Sequence, residues 1–302
     1  MSAAHPLATS AKHATAVLLT LFMGLSCSLP AAATGSGKHP QHSRHGKAGK
    51  HGATKAGPRP EKGHRTPSTR PPVATTTDRY TGRSDAMQWA DEAAPRLDLP
   101  VEWVRTQIGQ ARRIPMIEQL VLPAPTPAAK NWTAYRKRFI EPRRIEAGAA
   151  FWQRHQATLT RAEQTYGVPA NIIVGILGVE TLYGQHMGNF RILDALATLA
   201  FDFPQAHPRA AERQAFFRSE LDHFLRMAQR SGNDATSYRG SYAGAMGLPQ
   251  FMPSSWSHYA VDFDGDGHID LFNSPADAIG SVANYFKAFQ WRPGMPTYYP
   301  VK

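Results

Sequence analysis

Residues 169–184 read PANIIVGILGVETLYG, and the apolar residues of this stretch recur at the spacing of an α-helix. Pro169 suits the first turn of a helix, so we predict a helix over residues 169–183. One side of this helix carries Ile173, Ile176, Leu177 and Glu180. This stripe is the one expected to face the protein interior, and it ends in a carboxylate.

Two interpretations of Glu180 follow from its place on an apolar stripe. Burial raises the pKa of a carboxyl group, which would let Glu180 hold a proton near neutral pH and donate it to a leaving oxygen as a general acid. Alternatively, Glu180 could be a structural residue paired with an arginine such as Arg191 or Arg218. The periodicity alone leaves both interpretations open.

Helical patterns extend outward from this stretch over most of the chain. We predict helices opening at Pro100 and Pro275, and an amphipathic helix over residues 210–229. A further helix is predicted over residues 144–158, followed by one from His155 or Thr158 to Tyr166 if the chain bends. Alternating strand patterns are nearly absent and no internal repeat is visible, so the predicted fold class is mainly α.

The net charge of +11 raises the question of nucleic-acid binding. Before Asp78 the chain has ten Lys and Arg residues against one acid, Glu61, and the remainder is close to neutral. The charge therefore belongs to a tail, and we expect no nucleic-acid partner.

Residues 1–33 have the layout of a signal peptide, with an apolar run over 14–25 and three small residues before a cleavage point after Ala33. No stretch approaches the ~20 apolar residues of a transmembrane helix. We expect export to the periplasm. Cleavage after Ala33 would remove Cys27, the only cysteine; the alternative is an outer-membrane lipoprotein acylated at Cys27, which the residues before it match poorly.

Residues 34–78 form a predicted disordered linker, basic and rich in His, Pro and Gly, without apolar periodicity. Its histidines are irregularly spaced, which favours a solvated cationic tether over a metal site. Such a tether could be held near anionic envelope polymers. The catalytic domain is predicted over residues 79–302.

Residues 262–270, DFDGDGHID, match the spacing of an EF-hand calcium loop. The predicted ligands are Asp262, Asp264, Asp266, the backbone carbonyl of His268, Asp270 and Asn273. Asn273 stands where an EF-hand normally has a bidentate Glu, so we expect weaker binding. The alternative is a metal-free turn, although three aspartates so close together repel one another unless a cation is present.

Several segments together resemble the lytic murein transglycosylase B family, which includes soluble and membrane-bound enzymes. They are residues 110–113 (QARR), 135–140 (YRKRFI), 167–169 (GVP), 178–184 (GVETLYG), 192–199 (ILDALATL), 240–255 (GSYAGAMGLPQFMPSS) and 279–286 (IGSVANYF). The resemblance implies a lysozyme-like α domain with an inserted EF-hand-like calcium loop, and calcium in a stabilising role. It also implies that Glu180 is the only catalytic carboxylate.

In that family the Glu of the E-T-x-Y-G motif protonates the glycosidic oxygen of peptidoglycan glycan strands and then acts as a base, leaving 1,6-anhydromuramyl products. The resemblance places Ser241, Gln250, Tyr285 and Tyr183 among the substrate-binding residues, with core packing as the alternative for Tyr285. Glycines and Pro249 around the first two suit a loop whose backbone approaches a sugar.

Two other functions remain open from the sequence. One is a non-catalytic peptidoglycan-binding or scaffold protein that retains the cleft, and the other is a muramidase that uses water and leaves reducing ends. Family members usually continue beyond the position that corresponds to Lys302. We therefore expect either a fragment or a shortened cleft.

Overall fold

The computed structural model describes residues 78–123 and 131–297. The predicted signal peptide, Cys27, the linker histidines and the last residues of the chain lie outside the described residues. After a 3₁₀ turn at Tyr80–Gly82, the helices are α1 (Ser84–Leu97), α2 (Val101–Gln110), α3 (Pro115–Leu120), α4 (Trp132–Phe139), α5 (Pro142–Arg154), α6 (Gln156–Tyr166), α7 (Ala170–Thr181), α8 (Ile192–Phe201), α9 (Ala210–Ser231), α10 (Pro253–Tyr259) and α11 (Pro275–Ala288). Two-residue strands β1 (Phe190–Arg191) and β2 (Arg239–Gly240) pair antiparallel.

This architecture confirms the mainly α prediction, and it corrects some helix bounds. The helix predicted over 144–158 instead runs Pro142–Arg154, because the chain bends at His155, whose φ of −115° and ψ of 21° leave the helical region. Helix α7 ends at Thr181, two residues earlier than predicted. Within the described residues no helix combines the length and the apolar character needed to cross a membrane.

The described residues have two hydrophobic clusters. The first is built by α1, α2, α8 and α9, whose apolar stripes meet around fully buried residues such as Ile108, Leu196 and Phe224. The second is built by α5, α6, α7 and α11 around Phe151, Leu159, Leu177 and Ile279. The stripe of α7 that holds Ile173 and Leu177 therefore does face a core, as its spacing predicts.

The loop that follows β2 joins the two clusters. Ala245 and Met246 pack in the first cluster, whereas Leu248 packs in the second. Met246 and Phe251 exchange two backbone hydrogen bonds of 2.8 and 3.0 Å, which close the loop over residues 241–251 into a narrow hairpin. This hairpin lies against the C-terminal end of α7, where Glu180 is found.

Candidate functional site: a buried carboxyl beside a tight loop

Glu180 lies in the last turn of α7 and is partly buried. Burial raises the pKa of this carboxyl from its usual 4.5 to about 7, and no neighbouring charge contributes to the rise. Among the described residues Glu180 has no ion-pair partner. Arg191 instead lies 3.5 Å from Asp194, and Arg218 donates to the carbonyl of Ala200 at 3.0 Å. The structure thus disfavours the ion-pair interpretation.

The chain reverses direction immediately after Glu180 through a strained turn. Leu182, Tyr183 and Gly184 have φ values of 51°, 57° and 89°, a left-handed conformation that costs energy for the first two because they carry side chains. Such outliers persist only where the surroundings hold them. They are frequent at active sites.

Thr181 holds this turn in place. Its hydroxyl donates to the carbonyl of Leu248 at 2.8 Å and accepts the backbone N–H of Gly184 at 3.0 Å, and its side chain is fully buried. No pattern in the sequence predicts this role of Thr181, although Thr181 directly follows Glu180. It fixes the end of α7 to the hairpin, and therefore fixes Glu180 relative to that loop.

Ser241 and Gln250 both lie in this hairpin. The Ser241 hydroxyl oxygen accepts the backbone N–H groups of Ala243 and Ala245 at 3.3 and 3.0 Å. The Gln250 side-chain NH₂ donates to the carbonyls of Met187 and Gly247 at 3.1 and 3.0 Å. Within the described part of the chain, the Ser241 O–H and the Gln250 amide oxygen have no protein partner, so both can bind a ligand.

The other two predicted tyrosines differ in position. Tyr285 lies on α11 in an aromatic cluster, with ring centres 5.6 Å from Phe251 and 4.5 Å from Phe289. Burial, with a smaller effect of Tyr259, raises the pKa of Tyr285 to about 12, so its hydroxyl stays a proton donor at neutral pH. Tyr285 contacts the ring of Phe251, which directly follows Gln250 in the chain, so Tyr285 borders the hairpin.

The Tyr183 ring lies on the other side of α7 from Glu180. It stacks on Phe151 at 5.0 Å and faces a groove of about 490 Å³ between α5 and α7. The α7 residues that line this groove are Asn171, Val174 and Gly175. Because an α-helix turns by about 100° per residue, these three lie on the side of α7 opposite the Glu180 stripe. The structure therefore does not bring this ring to Glu180.

Tyr135 on α4 is a further neighbour of Glu180, and in the sequence it is marked only as part of the YRKRFI motif. Burial and then the charge of Glu180 raise the pKa of Tyr135, which places its hydroxyl within electrostatic reach of the carboxyl. Its ring stacks on Trp132 at 5.6 Å and lies 5.1 Å from Phe139. A stacked pair of aromatic rings near an acid offers a surface for a sugar ring.

The acidic loop between α10 and α11 brings together Asp262, Asp264 and Asp277, whose carboxylate oxygens lie within 4.8 Å of one another. Asp277 is fully buried and accepts N–H groups from Phe263 and Asp270 at 2.7 and 2.8 Å. It was missed because it lies beyond the twelve positions of an EF-hand loop.

The remaining predicted ligands surround this cluster without joining it. The Asp266 carboxylate accepts the N–H of His268 at 2.8 Å, and the Asp270 carboxylate accepts the N–H groups of Phe272 and Asn273 at 2.8 and 3.0 Å. The Asn273 side chain donates to the Asp270 carboxylate at 2.9 Å.

Comparison with known proteins gives one family and several relatives. A family profile described as a transglycosylase SLT domain matches residues 83–302. The chain is 45% identical over 223 residues to the membrane-bound lytic murein transglycosylase B of Escherichia coli, a match that covers 71% of this chain and 60% of that protein. The chain thus spans 60% of the length of that relative, which is less than two thirds.

The solved structures that are similar to this chain include two that match over a comparable share of its length. The soluble lytic transglycosylase SltB1 of Pseudomonas aeruginosa matches with a TM-score of 0.65 and 47% identity, over 70% of this chain and 69% of that one. The lytic transglycosylase Slt35 of Escherichia coli, solved in complex with calcium, matches with a TM-score of 0.64 and 45% identity, over 71% of this chain and 66% of that one.

Proposed function

Because this chain belongs to the transglycosylase SLT domain family, we propose that it is a peptidoglycan lytic transglycosylase. It cleaves the β-1,4 bond between N-acetylmuramic acid and N-acetylglucosamine and leaves 1,6-anhydromuramyl ends. The observation that carries this proposal is Glu180, a carboxyl group that burial alone keeps protonated up to a pH of about 7.

The reaction needs only one carboxyl group. Protonated Glu180 donates its proton to the glycosidic oxygen as the bond from that oxygen to the muramyl C1 breaks, and the substrate N-acetyl group stabilises the positive charge at C1. The Glu180 carboxylate then removes the proton of the muramyl 6-hydroxyl, whose oxygen bonds to C1. The proton returns to Glu180, and no water is consumed.

Within residues 78–123 and 131–297, no second acid contributes to the pKa of Glu180, and this supports the single-carboxyl route. Hydrolases of the retaining and inverting types place a second carboxylate roughly 5–9.5 Å from the acid. Among the described residues no carboxylate is close enough to contribute to the pKa of Glu180.

Substrate contacts are proposed for Ser241, Gln250 and Tyr285, which offer hydroxyl and amide groups around the hairpin. We assign Tyr183 a different role from the other three. Its ring packs against α5 and α7 on the far side of Glu180, so we propose that it supports the strained turn.

Calcium is proposed as a structural ion of the acidic loop. Asp262, Asp264 and Asp277 fit it, because carboxylate oxygens are the donors that calcium prefers and three of them converge here. The backbone N–H of Gly267 lowers the pKa of Asp262, which keeps that ligand ionised. Asp266, His268, Asp270 and Asn273 stay predicted ligands. A bound ion would offset the repulsion among the carboxylates and so tie the loop to α11.

Export to the periplasm, cleavage after Ala33 and contact of the basic linker with anionic polymers also belong to this proposal. They rest on the sequence of residues 1–78 alone.

Digestion of purified peptidoglycan with mass analysis of the products tests the proposed function. We expect anhydromuramyl ends from the unaltered protein and none from Glu180→Gln. Glu146→Gln, which changes an exposed Glu on α5 in the same way, should retain cleavage. Reducing ends would instead identify a muramidase, and binding without cleavage would identify a scaffold protein.

A further inference from the structure

Two histidines face each other on neighbouring helices, away from Glu180 and the acidic loop. His223 lies on α9 and His258 lies on α10, with ring centres 5.3 Å apart and ring planes inclined at 58°. His223 is partly buried and His258 is exposed. The function proposed above uses neither residue.

The hydrogen bonds of His258 fix which of its nitrogens carries the proton. Its Nδ1 lies 2.6 Å from the backbone carbonyl oxygen of Ser254. A carbonyl oxygen can only accept, so Nδ1 carries the hydrogen and Nε2 keeps a free lone pair.

The protonated nitrogen of His223 is fixed in the same way, through two hydrogen bonds of Ser257. Its Nδ1 lies 3.3 Å from the Ser257 hydroxyl oxygen, and that hydroxyl donates its own hydrogen to the carbonyl of Pro253 at 2.9 Å. The Ser257 oxygen must therefore accept from His223. Nδ1 of His223 carries the hydrogen, and its Nε2 is also a lone-pair nitrogen.

We propose that His223 and His258 form a surface site for a transition-metal dication of the zinc class, with the two Nε2 atoms as ligands. Neutral imidazole nitrogens are typical ligands of zinc, copper and nickel, and they do not suit calcium. Two imidazoles on a tetrahedral zinc, with bonds of about 2.1 Å, have ring centres roughly 5 Å apart. The observed 5.3 Å matches this separation.

The hydrogen bonds around both imidazole rings set the tautomer and the ring orientation that metal binding requires. Metal-bound histidines usually donate their other ring N–H to a carbonyl or another acceptor, which sets the tautomer and the ring orientation, and both rings do so here. Burial, with His258 and Arg226, lowers the pKa of His223 and so keeps that ring neutral.

Neighbouring acids are already engaged and supply no third ligand. Both carboxylate oxygens of Glu220 accept from Ser254, at 2.9 and 2.7 Å, and the carboxylate of Asp222 pairs with Arg96. The remaining coordination positions are therefore left to water. We expect weaker binding than at a site closed by four protein ligands.

A metal at this site would link α9 to α10, the helix that lies between the hairpin and the acidic loop. Helix α10 starts shortly after Gln250 of the hairpin and ends shortly before Asp262 of the acidic loop. A metal held by His223 and His258 would bind the folded state selectively and raise its stability.

Zinc titration of the full chain, with calcium in excess to occupy the acidic loop, tests the proposal. We expect zinc to raise the thermal unfolding midpoint of the unaltered protein and of the control His207→Gln. The rise should be lost in His223→Gln and in His258→Gln, with zinc affinity at least about tenfold weaker by calorimetry. Any zinc held by histidines of the predicted linker is expected to bind the folded and the unfolded protein equally. Such binding should therefore not shift the unfolding midpoint.

An equal midpoint shift in all four proteins, or no shift in the unaltered one, would overturn the site. Unfolding midpoints measured without metal show whether each variant folds. As a second measurement, crystals of the unaltered protein grown with zinc should give an anomalous diffraction peak between the two Nε2 atoms. A peak only elsewhere would overturn the assignment.

Discussion

Glu180 combines two properties that rarely occur in one surface-accessible residue. It lies partly exposed at the C-terminal end of α7, and it is still buried enough for its pKa to rise to about 7. This burial lowers the stability of the folded protein when Glu180 is ionised, because a buried carboxylate without a counter-ion is unfavourable.

The cleavage rate should depend on the protonated fraction of Glu180. We expect the rate on peptidoglycan to be highest below a pH of about 7 and to fall roughly tenfold per pH unit above it. Product release measured from pH 5 to pH 9 checks this. A rate that stays constant up to pH 9 would contradict Glu180 as the acid.

The stability of the protein should also change with pH through Glu180. Between its usual pKa of 4.5 and about 7, the folded chain holds a proton that the unfolded chain has lost, so the free energy of unfolding falls as pH rises through this window. Glu180→Gln removes the penalty. It should be more stable than the unaltered protein by on the order of 2 kcal/mol at pH 8, and nearly equal to it at pH 4. Urea unfolding at both pH values measures the difference.

At the scale of one element, α7 is a helix with two functional sides. One side carries Glu180, and the other carries Gly178, against which the Tyr183 ring packs after the strained turn. Gly175, one turn earlier on the same helix, has open space around it. These two glycines form a matched pair for substitution.

Gly178→Ala should destabilise the protein by about 1–3 kcal/mol, because the added methyl group would overlap the Tyr183 ring. Gly175→Ala should be neutral or stabilising by about 0.5–1 kcal/mol, since alanine favours a helix and meets nothing there. Denaturant unfolding compares the two. Equal effects would show that Tyr183 can move away from α7.

The contact of α7 with the hairpin depends on one hydroxyl group. Thr181→Val keeps the shape of the side chain but leaves the Leu248 carbonyl and the Gly184 N–H without this partner, so we expect a loss of about 1–3 kcal/mol. Because the hairpin carries Gln250, cleavage should decrease as well.

Thr165→Val is the control for this substitution. Thr165 is exposed on α6 and its hydroxyl donates only to a carbonyl of its own helix, so the change should stay within about 0.5 kcal/mol. Similar losses in both variants would indicate a general effect of valine in helices.

At the scale of the whole molecule, the two hydrophobic clusters meet at the hairpin, and the acidic loop lies between α10 and α11. Asp277 at the start of α11 is buried and accepts N–H groups of the loop backbone, and Phe263 of the loop packs against the second cluster. Its position makes the proposed calcium ion a link between a surface loop and the core.

Calcium should therefore raise the thermal unfolding midpoint, and a chelator should lower it again. Asp264→Asn should abolish most of this calcium effect, because it removes one converging carboxylate charge. Asp98→Asn, an exposed residue at the end of α1, should leave the effect unchanged. A midpoint independent of calcium in the unaltered protein would contradict the proposed ion.

Local patterns were enough to predict the presence of α2, α5, α6, α7, α9 and α11, and the side of α7 that carries Glu180. A period of 3.6 residues marks one face of a helix whatever that helix packs against, so Ile173, Leu177 and Glu180 could be placed on one stripe from spacing alone. The acidic loop was also visible, since its aspartates are close together in the chain.

Only the tertiary structure decided which distant residues meet. Thr181 contacts Leu248, Asp277 joins Asp262 and Asp264, and His223 faces His258. That Glu180 has no arginine as ion-pair partner in the described part of the chain was likewise decided by the tertiary structure. These contacts depend on how helices pack and on where the chain turns, as at His155 and after Thr181, and side-chain periodicity within one helix carries no information about them.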